Sequence, residues 1–358
     1  KARHHNIPLM IDAEEFARLK PTLHIFETLL AHPELQGWAG LGLVVQAYAR
    51  HAGVVIDWLE SKARAYQTRI SVRLVKGAYW DTEIKIAQEK GLPDFPVYTV
   101  KNYTDLAYLD HARRLMTAAD HIHPQFASHN AYTLSAVVKL AERLQPHSFE
   151  LQKLHGMGDE VHRQLQKMTS APLRVYAPVG RHHDLLAYLV RRILENGASS
   201  SFMNMLADET VPIHKLVSDP YEDNVSEANL ATGEHIFSPD RKNSRGFDET
   251  DISALRAFHH DVVSNGANDC QHVRPGDASP QEVASAFNRA RTSSWKTSDP
   301  AKRAEMLNRI ADCYEQADGK IYHLLVHEAG KTIDDAAGEL REAVDFCRYY
   351  AAETRRLA

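Results

Sequence analysis

The run Arg73-Leu74-Val75-Lys76-Gly77-Ala78-Tyr79-Trp80-Asp81 gathers two cations, a glycine and two large aromatic rings where an apolar stretch ends. Those residue types together suit a large, flat cofactor that carries phosphate. Glycine lets backbone approach a ligand closely. Lysine meets phosphate as a point charge, and arginine donates from a rigid fork to an acceptor such as a ring heteroatom. The same residues would also make a charged surface loop, because short motifs recur by chance. A second pair of cations, Arg191 and Arg192, lies late in a helical pattern over Leu185–Glu195 whose apolar side is Leu185, Leu186, Leu189, Ile193 and Leu194. Neighbouring helical positions diverge by about 100°, so the two guanidinium groups converge only on something near the helix edge. A small carboxylate suits them, since guanidinium donates to it bidentately. Glu195 follows both at helical spacing and can orient either one. A solvated cationic patch is the plainer alternative.

Positioning these residues requires a scaffold, and the apolar runs supply one. They are Ile7–Ile11, Leu43–Ala47, Ile70–Val75, Gln125–Ser128, Ser148–Leu151 and Leu173–Ala177. Helical patterns lie between them, among them Val54–Gln67, Thr104–Ala118 and Ala131–Leu144. Such alternation predicts a parallel sheet wrapped by helices. Asp12, Gln46, Arg73, His129 and Tyr176 all fall at or just after the carboxyl end of a run. Sites drawn from many strand ends are typical of a (β/α)8 barrel, whereas an open sheet concentrates its ligand at one switch point. Only six runs are read here, and closure at the shear and radius of eight strands does not follow for six. Asp12, ahead of Ala13-Glu14-Glu15, is either a helix N-cap or a site residue, or both. Tyr176 is either core with a wetted hydroxyl or a wall of the site. His129 is a structural residue or a ligand contact.

Several function classes are excluded. The pairs His4-His5, His182-His183 and His259-His260 are neighbours that diverge, and no HExxH occurs. Cys270, Cys313 and Cys347 show no CxxC spacing, which argues against a zinc site and a disulfide framework and fits a reducing cytosolic setting. Gly37, Gly40 and Gly42 precede a strand rather than follow one, so they are not a dinucleotide fingerprint. The net charge of −5 leaves no nucleic-acid footprint. No apolar run spans a bilayer and no signal peptide opens the chain. A strand begins almost at once after Lys1, so the chain reads as a fragment. Its 358 residues admit two domains. Asp219-Pro220, Ser238-Pro239-Asp240, Asn243-Ser244 and Asn265-Gly266 are turn signals, which predict a linker over 218–272 with short helices such as Ile252–His259. From Ser279 helical periodicity returns, and a final helix is expected over Asp334–Thr354.

The Arg73–Asp81 run resembles the proline dehydrogenase domain of the bifunctional proline-utilisation flavoenzymes. So do, in the same order, Ile11-Asp12-Ala13-Glu14-Glu15, Val44-Val45-Gln46-Ala47-Tyr48, Phe126-Ala127-Ser128-His129-Asn130, Leu154-His155-Gly156-Met157-Gly158, Tyr176-Ala177-Pro178-Val179-Gly180 and Tyr188-Leu189-Val190-Arg191-Arg192. The resemblance covers most of residues 1–220. It implies a proline dehydrogenase (β/α)8 barrel, incomplete here, with strands 3–8 present over 1–217. It implies FAD-dependent oxidation of L-proline to 1-pyrroline-5-carboxylate, with a hydride passing to flavin N5 and electrons then passing to a membrane quinone.

By that resemblance, proline's carboxylate rests on Arg191 and Arg192, its ring packs on Tyr79, Leu154 and Tyr176, and Asp12 holds one of the arginines. Arg73 sits near N5, and Lys76 meets the phosphates. Gln46, Val75, Gly77, Ala78, Trp80 and Thr99 contact the flavin, as do Ser128, His129, Asn130 and Glu195. Serine at 128 stands where threonine is commoner in the family, and it keeps the hydroxyl.

Trp295, Arg303, Leu307, Ile310, Glu328-Ala329-Gly330-Lys331, Glu339 and Arg348-Tyr349-Tyr350-Ala351 resemble the first helices of the aldehyde dehydrogenase superfamily, over 273–358. The NAD-binding sheet and catalytic cysteine of that superfamily would lie beyond residue 358, so the expected oxidation of glutamate semialdehyde to glutamate belongs to a parent protein. The resemblance places that parent in the cytoplasm, docking peripherally on the inner membrane during turnover, and is compatible with a homo-oligomer. The alternatives are a non-catalytic fragment with an open sheet edge that holds no FAD, and a substrate-binding barrel without redox chemistry.

Overall fold

Apolar and polar residues alternate along six short segments, and the alternation sets which face each side chain takes. The computed structural model describes residues 1–197, 205, 208, 210–216, 219–221, 230–248, 250–269 and 277–358. It divides into two compact units, one of residues 1–83 with 96–229, the other of 84–95 with 230–358.

In the first unit, β1 (Leu9–Ile11), β2 (Leu41–Gln46), β3 (Ile70–Val75), β4 (Ile122–Ala127), β5 (Glu150–Leu154) and β6 (Leu173–Tyr176) form one sheet. Every neighbouring pair is parallel and the order follows the chain. Leu41, Leu43, Ile70, Val72, Leu74, Ile122, Phe126 and Leu151 are buried on the outer face. The helices α1 (Leu19–Ala31), α2 (Ala52–Ala65), α4 (Lys101–Thr117) and α5 (Ala131–Leu144) bury Phe26, Leu59, Leu115 and Val137 among others, and α2 and α4 lie against β2, β3 and β4. Each such side chain contributes about 1.5–3 kcal/mol. The shorter α3 (Trp80–Glu89) and α6 (Asp159–Leu165), then α7 (His182–Gly197) and α8 (Ile213–Leu216), complete the series.

The inner face is different. Val44 and Gln46, Arg73 and Val75, Gln152 and Leu154 are alternate residues that line a single cavity, with Asp12, Ala127 and Tyr176 from the other strand ends. All six strands thus curl around one hollow as a half-barrel. Among the described residues β1 and β6 are the sheet's two edges. The inner face is also polar, with Ser71, Gln125, Glu150 and Gln152 buried there, where branched apolar residues fill most barrels. Glu150 accepts from Gln152 Nε2 at 2.6 Å and from Arg174 Nε at 2.8 Å. Burial raises its pKa, but hydrogen bonds from His123, Arg174 and Gln152 prevail and hold it at about 2.

All six expected strands are present. β4 begins at Ile122 rather than Gln125, and β5 is displaced to Glu150–Leu154 from Ser148–Leu151. Polar inner-face residues at 123, 150 and 152 hide those ends from an apolar count.

The second unit contains α9 (Ile252–Asp269), α10 (Pro280–Thr292), α11 (Pro300–Gln316), α12 (Asp318–His327) and α13 (Ile333–Arg356). Phe258 and Val262 of α9 share a core with Ala311, Tyr322, Leu340 and Val344. Phe258 and Val262, expected in a linker over 218–272, are therefore buried in a core, and α9 runs well past His259. Segment 84–95 belongs here too: the Gly91 carbonyl accepts from Gly246 N at 2.9 Å, and the Glu89 carbonyl accepts from Arg341 Nη1 at 2.8 Å. Arg348, 6% exposed, donates to Glu315 at 2.7 Å and Asp312 at 3.0 Å.

Candidate functional site

The cavity inside the first unit's curled sheet has a volume of about 850 Å³, toward the upper end of cofactor and ligand pockets (about 300–1,000 Å³). One end is built by the turn after β3. Gly77 has φ +143°, and a Cβ there would lie 2.4 Å from the Tyr48 ring, so only glycine fits. Lys76 pairs with Asp105 of α4, and Lys101 and Thr104 line the same end. Trp80 Nε1 donates to the Tyr98 carbonyl at 2.8 Å, which fixes the indole beside Thr99.

The middle of the cavity is organised by Arg73 and Gln46. Arg73 pairs with Asp12, and its guanidinium lies 5.4 Å from the centroid of the Tyr176 ring. Gln46 Oε1 accepts from Ala78 N at 3.1 Å, while its Nε2 donates to the Glu14 carbonyl at 2.9 Å. Tyr79 Oη donates to Glu14 Oε2 at 2.7 Å. Asp12 is not a helix cap: Glu15 holds that position, ahead of the turn Phe16–Arg18.

The far wall is Ser128-His129-Asn130 with β5, β6 and α7. His129 Nε2 accepts the Leu154 backbone N–H at 3.2 Å. Burial, then the charges of His162, Arg192 and Lys153, push His129 down to about 4, so it is neutral at pH 7. Asn130 Oδ1 caps α5 by accepting from Thr133 N at 2.9 Å, and Ser128 Oγ accepts from Asn130 N at 3.1 Å. The Tyr176 and Tyr188 rings are 6.5 Å apart, and the Arg192 guanidinium lies 5.3 Å from the Tyr188 centroid.

Arg73, Val75, Lys76, Gly77, Ala78, Tyr79 and Trp80 all line this cavity, as do Gln46, Thr99, Ser128, His129, Asn130, Leu154, Tyr176, Arg192 and Asp12. The side chains of Arg191 and Glu195 lie outside the described residues. Lys101, Asp105, Gln152 and Lys153 also line it and are not distinguished by the sequence, and Tyr188 of the α7 motif joins them. The signal for Lys101 and Asp105 was present, a helix start just after Thr99, but their meeting with Lys76 is a tertiary fact.

The arrangement offers cations at two separated places, a slot walled by aromatic rings, and a neutral imidazole near Arg192. Residues 1–205 match the family model described as proline dehydrogenase, and residues 260–358 match that of the aldehyde dehydrogenase family. The chain is 40% identical over 401 residues to the bifunctional protein PutA of Salmonella typhimurium, covering 99% of this chain and 30% of that one. A mutant of Bradyrhizobium japonicum proline utilization A superposes with a TM-score of 0.89 at 43% identity, with 99% of this chain and 36% of that one covered. Proline utilization A from Bdellovibrio bacteriovorus, in a structure inactivated by N-propargylglycine, gives a TM-score of 0.83 at 28% identity over 99% of this chain and 40% of that one. The chain thus spans roughly a third of the length of the relatives it matches.

Proposed function

Because the chain belongs to the proline dehydrogenase family over residues 1–205, we propose that its barrel unit binds FAD and oxidises L-proline to 1-pyrroline-5-carboxylate. The observation that carries this reading is the single hollow reached by all six strands, with Lys76 and Lys101 at one end and Arg192 at the other. Its volume, its cationic end and the glycine turn fit a dinucleotide flavin. The six strands correspond, on this reading, to strands 3–8 of an eight-stranded barrel.

Lys76 and Lys101 would hold the phosphates, and the backbone around Gly77 would come close to them. Arg73, Gln46 and Trp80 would hold the ring system, together with Val75, Ala78 and Thr99. Ser128, His129 and Asn130 would also contact it, as would Glu195. When bound, FAD supplies the two-electron acceptor for the hydride that proline loses.

The chain's own residues do the rest. Arg191 and Arg192 bind the proline carboxylate through paired charge-assisted bonds. Tyr176, Leu154 and Tyr79 enclose the ring and exclude water. Neutral His129 adds no third positive charge beside Arg192. It orders the Leu154 backbone through the bond its Nε2 accepts. Asp12 fixes the Arg73 guanidinium. That the Bdellovibrio relative is inactivated by N-propargylglycine, a secondary α-amino acid like proline, supports a site of this shape and charge.

The parent protein, by its likeness to bifunctional relatives, would pass electrons to a membrane quinone. It would also carry the NAD-dependent oxidation of glutamate semialdehyde outside this chain, with residues 273–358 opening that domain. The proline assignment is tested by replacing both arginines. An Arg191→Met, Arg192→Met chain loaded with FAD is expected to show a proline KM raised by about 100-fold or more, as loss of two charged hydrogen bonds implies, with FAD affinity retained. An unchanged KM would remove the carboxylate assignment.

A further inference from the structure

Glu83 is a buried carboxyl to which the reading above gives no task. It lies in the first helical turn of α3, 4% exposed, one turn beyond Tyr79. Its Oε1 accepts the Phe16 backbone N–H at 2.6 Å, across 67 positions of chain. Phe16 opens the turn Phe16–Arg18, which ends the loop leaving β1. That loop delivers Asp12 and Glu14 to the cavity. Asp12 pairs with Arg73, Glu14 Oε2 accepts from Tyr79 Oη, and the Glu14 carbonyl accepts from Gln46. A smaller hollow of about 50 Å³ also borders the loop, lined by Glu15, Phe16, His51 and Glu83 among others. The Phe16 ring packs 4.7 Å from His51.

A loop that borders a hollow needs contacts that hold it in place. The Phe16–Glu83 bond is one. Burial, with the neighbouring Glu15 charge, disfavours an ionised Glu83, and the Phe16 N–H offsets part of that. A buried acceptor that loses its donor bears its full desolvation penalty. The carboxyl therefore favours the loop position in which Phe16 reaches it.

We propose that Glu83 is a positioning residue: by accepting the Phe16 N–H it seats the 12–16 loop so that Asp12 meets Arg73 and Glu14 meets Tyr79 at the cavity mouth. The geometry of this latch stands alone. Its consequence for proline rests on the function proposed above.

Four variants of the full chain separate the bond from its surroundings. Glu83→Gln keeps a carbonyl acceptor, and Glu83→Leu removes it. Phe16→Pro removes the donor at a position suited to proline, the first residue of a helical turn after an extended residue, since Glu15 has φ −60° and ψ 156°. Phe16→Ala loses the ring but keeps the N–H. The first readout needs no ligand: the rate at which phenylglyoxal modifies Arg73, followed by peptide mass spectrometry. The second is the proline KM of the FAD-loaded chain with a dye acceptor.

Glu83→Leu and Phe16→Pro are expected to speed Arg73 modification about tenfold and to raise KM about tenfold, the equivalent of one lost hydrogen bond, with kcat within about twofold. Glu83→Gln and Phe16→Ala stay near the parent in both. Equal behaviour of Phe16→Ala and Phe16→Pro, or unchanged Arg73 reactivity in Phe16→Pro, overturns the latch, and this pair decides even where Glu83→Leu fails to fold. Faster Arg73 modification with an unchanged KM overturns the positioning role. A parent chain that turns over no proline contradicts the proposed function instead, and the latch is then decided by Arg73 reactivity.

Discussion

Gly77 cannot be exchanged without moving the cation-bearing turn. Its φ of +143° excludes a side chain, and a Cβ would meet the Tyr48 ring. Gly77→Ala is expected to cost about 1–3 kcal/mol of stability, the usual range for such backbone strain, and to weaken FAD binding. A thermal melt and a flavin-fluorescence titration of the variant check both. The turn was legible in the sequence because Arg73, Lys76, Gly77 and Trp80 are close neighbours there. The residues that hold it in place are not neighbours. Asp12 reaches Arg73 across 61 positions, and Asp105 reaches Lys76 across 29. An acid beside a helix start looks like a cap from sequence alone, and only the fold shows that Glu15 takes that position while Asp12 turns to Arg73. Lys101, Asp105 and Glu83 are illegible for the same reason: nothing local distinguishes them from solvated helix charges.

The elements place the strand ends through contacts on the outer side of the sheet. Tyr108 of α4 is fully buried, and its hydroxyl lies 3.3 Å from both the Leu74 and Ala127 carbonyls. It ties the carboxyl ends of β3 and β4 where they present Arg73 and Ser128. Tyr108→Phe should cost about 1 kcal/mol in urea unfolding, with only a small change in FAD affinity. Acid has a larger effect. His129 and His51 both sit at about 4 in the folded chain, against 6.5 when free. Between those values the unfolded chain binds more protons. Their contribution is complete above pH 6.5 and is lost as pH falls toward 4, at up to about 1.4 kcal/mol per pH unit for each group. His129→Gln should flatten that dependence by one proton, read from urea midpoints at pH 7.5, 6 and 5. The strands were legible because their outer residues are apolar on alternate positions. Helix α3 was not, since it starts within the motif itself and carries Asp81 and Glu83 in its first turn. The extent of helix α9 is hidden because Asn265-Gly266 reads as a turn, yet the helix continues to Asp269.

At the scale of the whole molecule, two units are built from interleaved stretches of chain, and segment 84–95 is counted with the C-terminal one. A linear reading could not foresee this. It places boundaries where composition changes, and the change at 218–272 is real in turn residues, while Phe258 and Val262 still bury in a core. The family match and the cavity address the same unit: residues 1–205 are matched, and every residue lining the 850 Å³ hollow lies between Asp12 and Arg192. No helix among the described residues is long and apolar enough to cross a membrane. The central claim is that this hollow holds a flavin which proline reduces. The most direct test is the visible absorption spectrum of the purified chain, supplied with FAD, before and after anaerobic addition of L-proline. A bound flavin band that bleaches on adding proline is the predicted result. A chain that leaves FAD unbound, or binds it without bleaching, would contradict the claim.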